Sequence, residues 1–434
     1  MAPKHKIIID TDPGVDDVLA ILLALSASPE DLEVAMISVT YGNVPLQGCL
    51  RNVVALFHVL EKEKAWRKSA GKETGFDSLS LFKPIVAIGA EHPLEEEELA
   101  ADHFHGADGL HGVHEAHPDL TPTDTWRTLF EDAPGGPPSE IPSFSTYFTP
   151  SKTVAHKEIL RILKESPDQT VTILTIGPMT NVALAAAEDP ETLLRAREVC
   201  VMGGAVDVPG NITPVAEFNT FADAVATARV FALTAREPAS TMPPTSASSS
   251  LKPYPAGLSR QLKLSLFPLD ITTDHLLNKG FFTERIAPLV ASGSPLARWL
   301  EHVLSRTFDK IDSMLGDGSE PGLSLHDPLT VWYMMTRDNP AWRASAGEDI
   351  RVETTGQWTR GMHILDRRVR SKPGVEQEPG QAEKTEVVDG VQLDEVPGDT
   401  MGWLSRRRGN SVNRIVGSPG FDVFAEYLMK QLFW

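Results

Sequence analysis

The hydrophobic positions of this chain fall into short unbroken runs separated by longer helical patterns. Residues 6–10 carry three consecutive isoleucines with no polar alternation, the pattern of a strand covered on both faces. A turn signal at Pro13-Gly14 follows, and residues 18–25 predict a buried helix. Residues 34–40 predict a second strand, with a helix over about 50–60 behind it. Residues 170–176 predict a strand that runs through Gly177-Pro178 into a helix with Asn181 near its start. Residues 199–202 predict another strand, ending in Gly203-Gly204, and residues 421–434 regain helical spacing. Strand, glycine-bearing loop and helix form the recurring unit. That order implies an α/β fold: a mostly parallel central sheet, helices on both faces, and a site at the carboxyl ends of the strands.

Three stretches break the pattern. Residues 114–150 are rich in Pro, Gly and Ser, 236–258 hold Met-Pro-Pro before a Ser/Thr run, and 371–400 are acidic with few large apolar residues. All three read as surface insertions or flexible segments on one elaborated domain covering 1–434. The 434 residues, 41% of them hydrophobic, suffice for a large core. A net charge of -19 argues against a nucleic-acid partner and suits a small neutral substrate or a cation. Two cysteines permit one disulfide but no framework, which favours a reducing compartment. The apolar run near the N-terminus is too short for a signal-peptide core, and no stretch approaches a membrane span. The expectation is a soluble cytoplasmic protein without membrane partners.

The chemistry concentrates in Asp10-Thr11-Asp12-Pro13-Gly14-Val15-Asp16-Asp17, four carboxylates within eight residues directly after a buried strand. Two carboxylates about 4 Å apart repel by roughly 4 kcal/mol at an effective dielectric of about 20. A shared proton, a helix N-terminus or a bound cation can offset this, and a hard oxygen-liking cation offsets most. The spacing is not that of an EF-hand, because the twelfth position from Asp10 is Ile21 where Glu is needed. A solvated acidic turn is the plain alternative; the flanking strand and apolar helix place the cluster at a sheet end instead.

This segment resembles the N-terminal fingerprint of the inosine–uridine-preferring nucleoside hydrolase family. Further segments agree in order: Thr40-Tyr41-Gly42-Asn43, His105-Gly106-Ala107-Asp108-Gly109-Leu110, and Ile176-Gly177-Pro178-Met179-Thr180-Asn181. Met202-Gly203-Gly204 through Asn211 and Glu217-Phe218-Asn219 is similar to the family's sugar-binding segment. His326-Asp327-Pro328 resembles its late metal-ligand motif, and Thr359-Arg360-Gly361-Met362 with Asp366-Arg367-Arg368 fits its C-terminal strands.

The resemblance implies a Rossmann-like fold and Ca²⁺-dependent hydrolysis of ribonucleosides to free base and ribose. It implies that Asp12, Asp17 and Asp327 bind Ca²⁺ by side chain and Ile176 by its carbonyl, with Asp10 supporting the metal shell. Asp12 is then also the base that activates a water held at the ion, and Asn43 helps to orient that water. Asp16 takes the 2′-hydroxyl, Asn219 the 3′-hydroxyl, and Asn211 with Glu217 the 5′-hydroxyl, in a pocket that Met202 and Phe218 help to form. His326 and His105 are the candidates for assisting the departing base. Family members commonly form homo-oligomers, an expectation carried over here.

Each residue taken singly has a plainer reading. Asn43 suits an ordinary turn, Glu217 a helix cap, His105 a solvated loop, His326 the start of the helix at Pro328, and Phe218 the core. The helix around 306–315, where such enzymes contact the base, offers Phe308 as its only aromatic, so base preference does not carry over. Two other functions stay open. Asp10-x-Asp12 after an apolar strand also resembles the nucleophile motif of haloacid-dehalogenase-type phosphohydrolases, although the continuation to Asp17 and the His326-Asp327 pair argue against it. A non-catalytic nucleoside- or calcium-binding protein would keep the same residues.

Overall fold

The structure is a computed structural model that describes residues 3–95, 104–131, 146–244, 251–316, 318–368, 398–405 and 407–434. Among the described residues its centre is a nine-stranded sheet. The strands β1 (His5–Thr11), β2 (Leu32–Val39), β3 (Ile85–Ile88) and β4 (Thr149–Ser151) run outward to one side. From the other side of β1 run β5 (Val171–Thr175), β6 (Glu198–Met202) and β7 (Leu264–Phe267). The strand Val412–Gly417 continues the parallel order beside β7, and Arg343–Glu348 closes the edge antiparallel to it. The mostly parallel sheet read from the sequence is present, and its antiparallel edge is an addition.

The isoleucine run shows why β1 is central. Ile7 and Ile9 pack into the core on one face of the sheet and Ile8 into the core on the other, all with no exposure. β1 pairs in parallel with β2 on one side and β5 on the other, so the order of connection reverses at β1. In such sheets ligands bind outside the carboxyl ends of the strands at that reversal. The loops after β1 and β5 begin there, with Asp12 and Ile176.

Helix α1 (Val15–Ser26) is buried from Val15 to Leu25, which accounts for its almost wholly apolar sequence after Asp17. It packs along the helix His326–Thr336. Helix α2 (Leu46–Ser69) extends well past the expected 50–60 and buries Asn52 among its apolar residues.

The described part of 114–150 differs from the surface insertion expected. Trp126, Phe130 and Phe148 are buried, Phe130 stacks on Phe148, and Thr149–Ser151 is a sheet strand. A few large aromatics outweigh the Pro/Gly/Ser composition around them. Within 236–258, Pro238 and Tyr254 are buried. The segment 371–400 lies outside the described residues apart from 398–400. Cys49 and Cys200 are free and buried. Among the described residues no helix is long and apolar enough to cross a membrane.

Candidate active site

Two helix starts bring the acidic groups together. Asp16 and Asp17 stand in the first turn of α1, and Asp327 in the first turn of His326–Thr336. A helix N-terminus favours negative charge, and the packing of these two helices points both starts at one place. Asp16, Asp17 and Asp327 each offer a carboxylate oxygen, and these oxygens lie within 4.8 Å of one another. All three side chains are buried. Asp12, expected in this trio, is not part of that group; its neighbour in the motif, Asp16, is.

Asp17 is held by Thr11, Asp12, Gly14 and Asn43. Its Oδ1 accepts from Thr11 Oγ1 at 2.6 Å and from Asp12 N at 3.3 Å. Its Oδ2 accepts from Gly14 N and Asn43 Nδ2, both at 3.0 Å. Asn43 also donates its backbone N–H to Asp12 Oδ2 at 2.7 Å and its side-chain amide to Asp12 O at 3.1 Å. It thus orients both aspartates. The other oxygen of Asp12, Oδ1, is buried with no hydrogen-bond partner among the described residues. Gly42 and Gly177 flank this carboxylate so closely that a methyl group on either would collide with it.

Burial pushes the carboxyl pKa of Asp12 well above its usual value, and the charges of Asp17 and Asp16 push it further. Asp16 rises to about 7, by burial and then by Asp17. Asp327 rises strongly from burial and from Asp16, Asp17 and Asp12. Such mutual repulsion is what a cation would relieve. Asp10 lies one layer deeper, where Ser38 Oγ at 2.5 Å and Asn181 Nδ2 at 2.9 Å donate to its Oδ1. Burial raises it to about 7.

A cavity of about 310 Å³ opens over this cluster. Its polar lining comes from Asp16, Asn43, Asp327, Asn211, Glu217 and Asn219, and Ile176 and Met202 line it too. Glu217 caps the short helix Phe218–Ala222, accepting from Asn219 N at 2.8 Å and Thr220 N at 3.0 Å, and it also accepts from Gly204 N at 2.8 Å. The capping role read from the sequence and a place in the cavity wall therefore coexist. Asn219 Nδ2 donates to the carbonyls of Ile176 at 3.1 Å and Met202 at 3.4 Å. Asn211 Oδ1 accepts from Phe218 N at 2.9 Å. Half-buried Phe218 lines the cavity as well.

Phe104, Ile311, Met314 and Leu323 supply apolar lining, and His105 and His326 line the cavity as well. Val15 N donates to His105 Nδ1 at 3.0 Å, so the neutral ring carries its proton on Nε2. Thr272 Oγ1 contacts His326 Nδ1 at 2.7 Å. Burial lowers the pKa of His326 to about 4 and that of His105 to about 3. Both rings are neutral near pH 7, and His105 offers its Nε2–H.

Sequence reasoning missed the apolar wall. Phe308 is fully buried against Phe282, and it is Ile311 and Met314, at i+3 and i+6 on the same helix, that reach the cavity. The helical spacing from Phe308 held that signal, carried by aliphatic rather than aromatic side chains. Thr11, Thr272 and Asn52 were missed too, as single polar residues without a motif of their own.

Solved structures share this architecture. A plant nucleoside hydrolase matches with a TM-score of 0.62 at 22% identity, covering 99% of both chains. A purine-preferring ribonucleoside hydrolase from Gardnerella vaginalis matches with a TM-score of 0.63 at 20% identity, covering 99% of this chain and 98% of that one. The fold is thus that of the nucleoside hydrolases. The sequence profile of the inosine-uridine preferring nucleoside hydrolases matches residues 7–396, and the chain belongs to that family of enzymes, which cleave the N-glycosidic bond of ribonucleosides. Among its relatives, the pyrimidine-specific ribonucleoside hydrolase RihA of Klebsiella pneumoniae is 30% identical over 360 residues, 82% of this chain and 87% of that one. An uncharacterized protein of Schizosaccharomyces pombe is 30% identical over 365 residues, 83% of this chain and 89% of that one.

Proposed function

We propose that this protein hydrolyses ribonucleosides to free base and ribose with Ca²⁺ as its resident ion. The observation that carries this is the buried acidic cluster beside a cavity lined by both polar and apolar side chains. The donor set fits a hard cation. It offers the carboxylates of Asp17 and Asp327, which group with Asp16, that of Asp12 beside Asp17, and the carbonyl of Ile176, all oxygen, and Asp12 Oδ1 has no hydrogen-bond partner among the described residues. Bound there, the ion would supply Lewis-acid polarisation and charge neutralisation.

The chain's own residues do the rest. Asp16 and Asn219 hold the 2′- and 3′-hydroxyls, and Asn211 with Glu217 holds the 5′-hydroxyl. Asp12 takes a proton from the attacking water as the C1′–O bond forms and the C1′–N bond breaks. Positive charge that develops on the sugar faces the aspartates, which stabilise it. The apolar wall takes the base, and the N–H groups of His105 and His326 stabilise the nitrogen or oxygen atoms that gain electron density as it leaves.

The test is ribose release from inosine, adenosine, guanosine, uridine and cytidine, with and without a strong chelator. Release that disappears on verified metal removal and returns with Ca²⁺ supports the whole reading. Binding of nucleoside without any ribose release would leave a non-catalytic binding protein, and unchanged activity after metal removal would sink the metal assignment. The same panel reads out base preference.

A further inference from the structure

We propose that Asn52 on α2, held by His114, is a positioning residue that fixes the histidine loop 105–112 against the aspartate loop 12–17. This rests on the reading above that His105 assists the leaving base.

The two loops are distant in sequence and are joined at the site by hydrogen bonds. One is direct, from Val15 N to His105 Nδ1 at 3.0 Å. Another passes through Asn52, which has no exposure. Its Nδ2 donates to Pro13 O at 2.8 Å and to Asp108 O at 3.0 Å. Pro13 follows Asp12, and Asp108 lies three residues after His105. A single buried amide therefore spans the carbonyls of both loops.

The geometry works only with the amide in one orientation. Flipped, Asn52 would set its own oxygen against two carbonyl oxygens. His114 selects the correct state: its Nε2 lies 2.8 Å from Asn52 Oδ1, and since that oxygen only accepts, Nε2 carries the proton. Burial lowers the His114 pKa to about 4, which keeps the ring neutral. Every hydrogen-bonding group of the Asn52 side chain is engaged in this arrangement except one lone pair.

The loop is built to receive it. Asp108 Oδ1 accepts from Leu110 N at 3.0 Å and Gly112 N at 2.8 Å, closing the turn that presents Asp108 O. Gly109 has φ of 82°, and a Cβ there would sit 2.7 Å from Asn52 Nδ2. The close approach and the left-handed backbone both require glycine. α2 also begins directly after the loop that carries Asn43. One helix thus sets the spacing of three loops around the cavity.

Displacing a group by about 1 Å costs up to about 10²-fold in rate. If Asn52 acts through His105, its loss falls on substrates that need help in releasing the base. The experiment measures kcat and KM for uridine, inosine and p-nitrophenyl riboside, whose leaving group needs little help. It compares wild type, Asn52→Ala, His105→Ala and the double variant, with thermal stability and its Ca²⁺-dependent gain recorded for each. Asn52→Ala should lose about 10- to 10²-fold in kcat on the nucleosides and less than about 3-fold on p-nitrophenyl riboside. In the His105→Ala background it should cost less than about 3-fold more, because neighbouring groups acting as a unit are not additive. His114→Phe should reproduce the Asn52→Ala pattern, and His114→Gln, which keeps an N–H donor, should recover part of the rate. Should Asn52→Ala fail to fold, His114→Phe carries the same comparison. Equal losses on all three substrates, full additivity with His105→Ala, or no loss would overturn the proposal. Wild type that releases no ribose, or a His105→Ala variant with no preference among substrates, would instead defeat the underlying reading and the proposal with it.

Discussion

Replacing Asp327 by Asn tests whether the acidic cluster is a cation site, because opposite effects are expected with and without the ion. The carboxylate oxygens of Asp16, Asp17 and Asp327 lie within 4.8 Å of one another, where each pair of full charges would repel by about 3.5 kcal/mol at an effective dielectric of about 20. Protonation absorbs part of this near neutral pH, where Asp16 titrates at about 7, so the relief in the metal-free variant is a fraction of the sum, about 2 kcal/mol. Unfolding entropy of about 2.1 cal/mol/K per residue over 434 residues makes 1 kcal/mol worth about 1 °C. Metal-free Asp327→Asn should therefore melt about 2 °C above metal-free wild type. At a Ca²⁺ concentration about 1,000 times its Kd, wild type gains about 4.1 kcal/mol, or about 4 °C. A variant with at least about 10²-fold weaker affinity gains about 1.4 kcal/mol at most. Differential scanning fluorimetry at pH 7.5, after chelation and after readdition of Ca²⁺, reads both numbers. A metal-free variant less stable than wild type, or Ca²⁺ shifts of equal size, would refute the assignment.

Asp12→Asn keeps the shape of the side chain but removes its proton acceptor, and steady-state ribose release should show kcat reduced by at least about 10²-fold. With Asp16 on the 2′-hydroxyl, kcat/KM for 2′-deoxyuridine or 2′-deoxyinosine should fall below that of the ribonucleoside by roughly 10⁴-fold; comparable values would contradict the diol contact. Gly177→Ala drives a methyl group into the Asp12 carboxylate, so activity should fall while circular dichroism keeps the native spectrum; full activity would mean that this carboxylate can move freely. His363 is buried and its pKa is lowered by burial to about 4, below the unfolded value of 6.5. The unfolded chain thus binds more protons between those values, and the His363 contribution is lost as pH falls from 6.5 to 4, by up to roughly 3 kcal/mol. Urea unfolding of His363→Gln should show a shallower loss over that window than wild type.

The central strands were legible because their sequence is dictated by burial on both faces: the isoleucines of β1 have no polar alternation, and the strand lies where that pattern put it. Composition misled at 114–150, since an average over Pro, Gly and Ser hides the three aromatics that enter the core. At the site, the motifs identified which residues arrive at the point where the sheet order reverses. They did not reveal which of them converge, because that depends on how α1 packs against His326–Thr336: the packing groups Asp16 with Asp17 and Asp327 and leaves Asp12 beside Gly42 and Gly177. Charge state was equally hidden. Thirteen histidines share one chemistry in the sequence, yet burial separates His105 and His326 from an ordinary imidazole. Asn52 is the extreme case, an amide among the buried apolar residues of α2 with no sequence signal of its own. Its partners are carbonyls, which every residue possesses, and so only the folded chain distinguishes it from a solvated asparagine. Motifs therefore locate the groups that carry charge, whereas the groups that hold backbone in place emerge only from the donor and acceptor accounting of the folded structure.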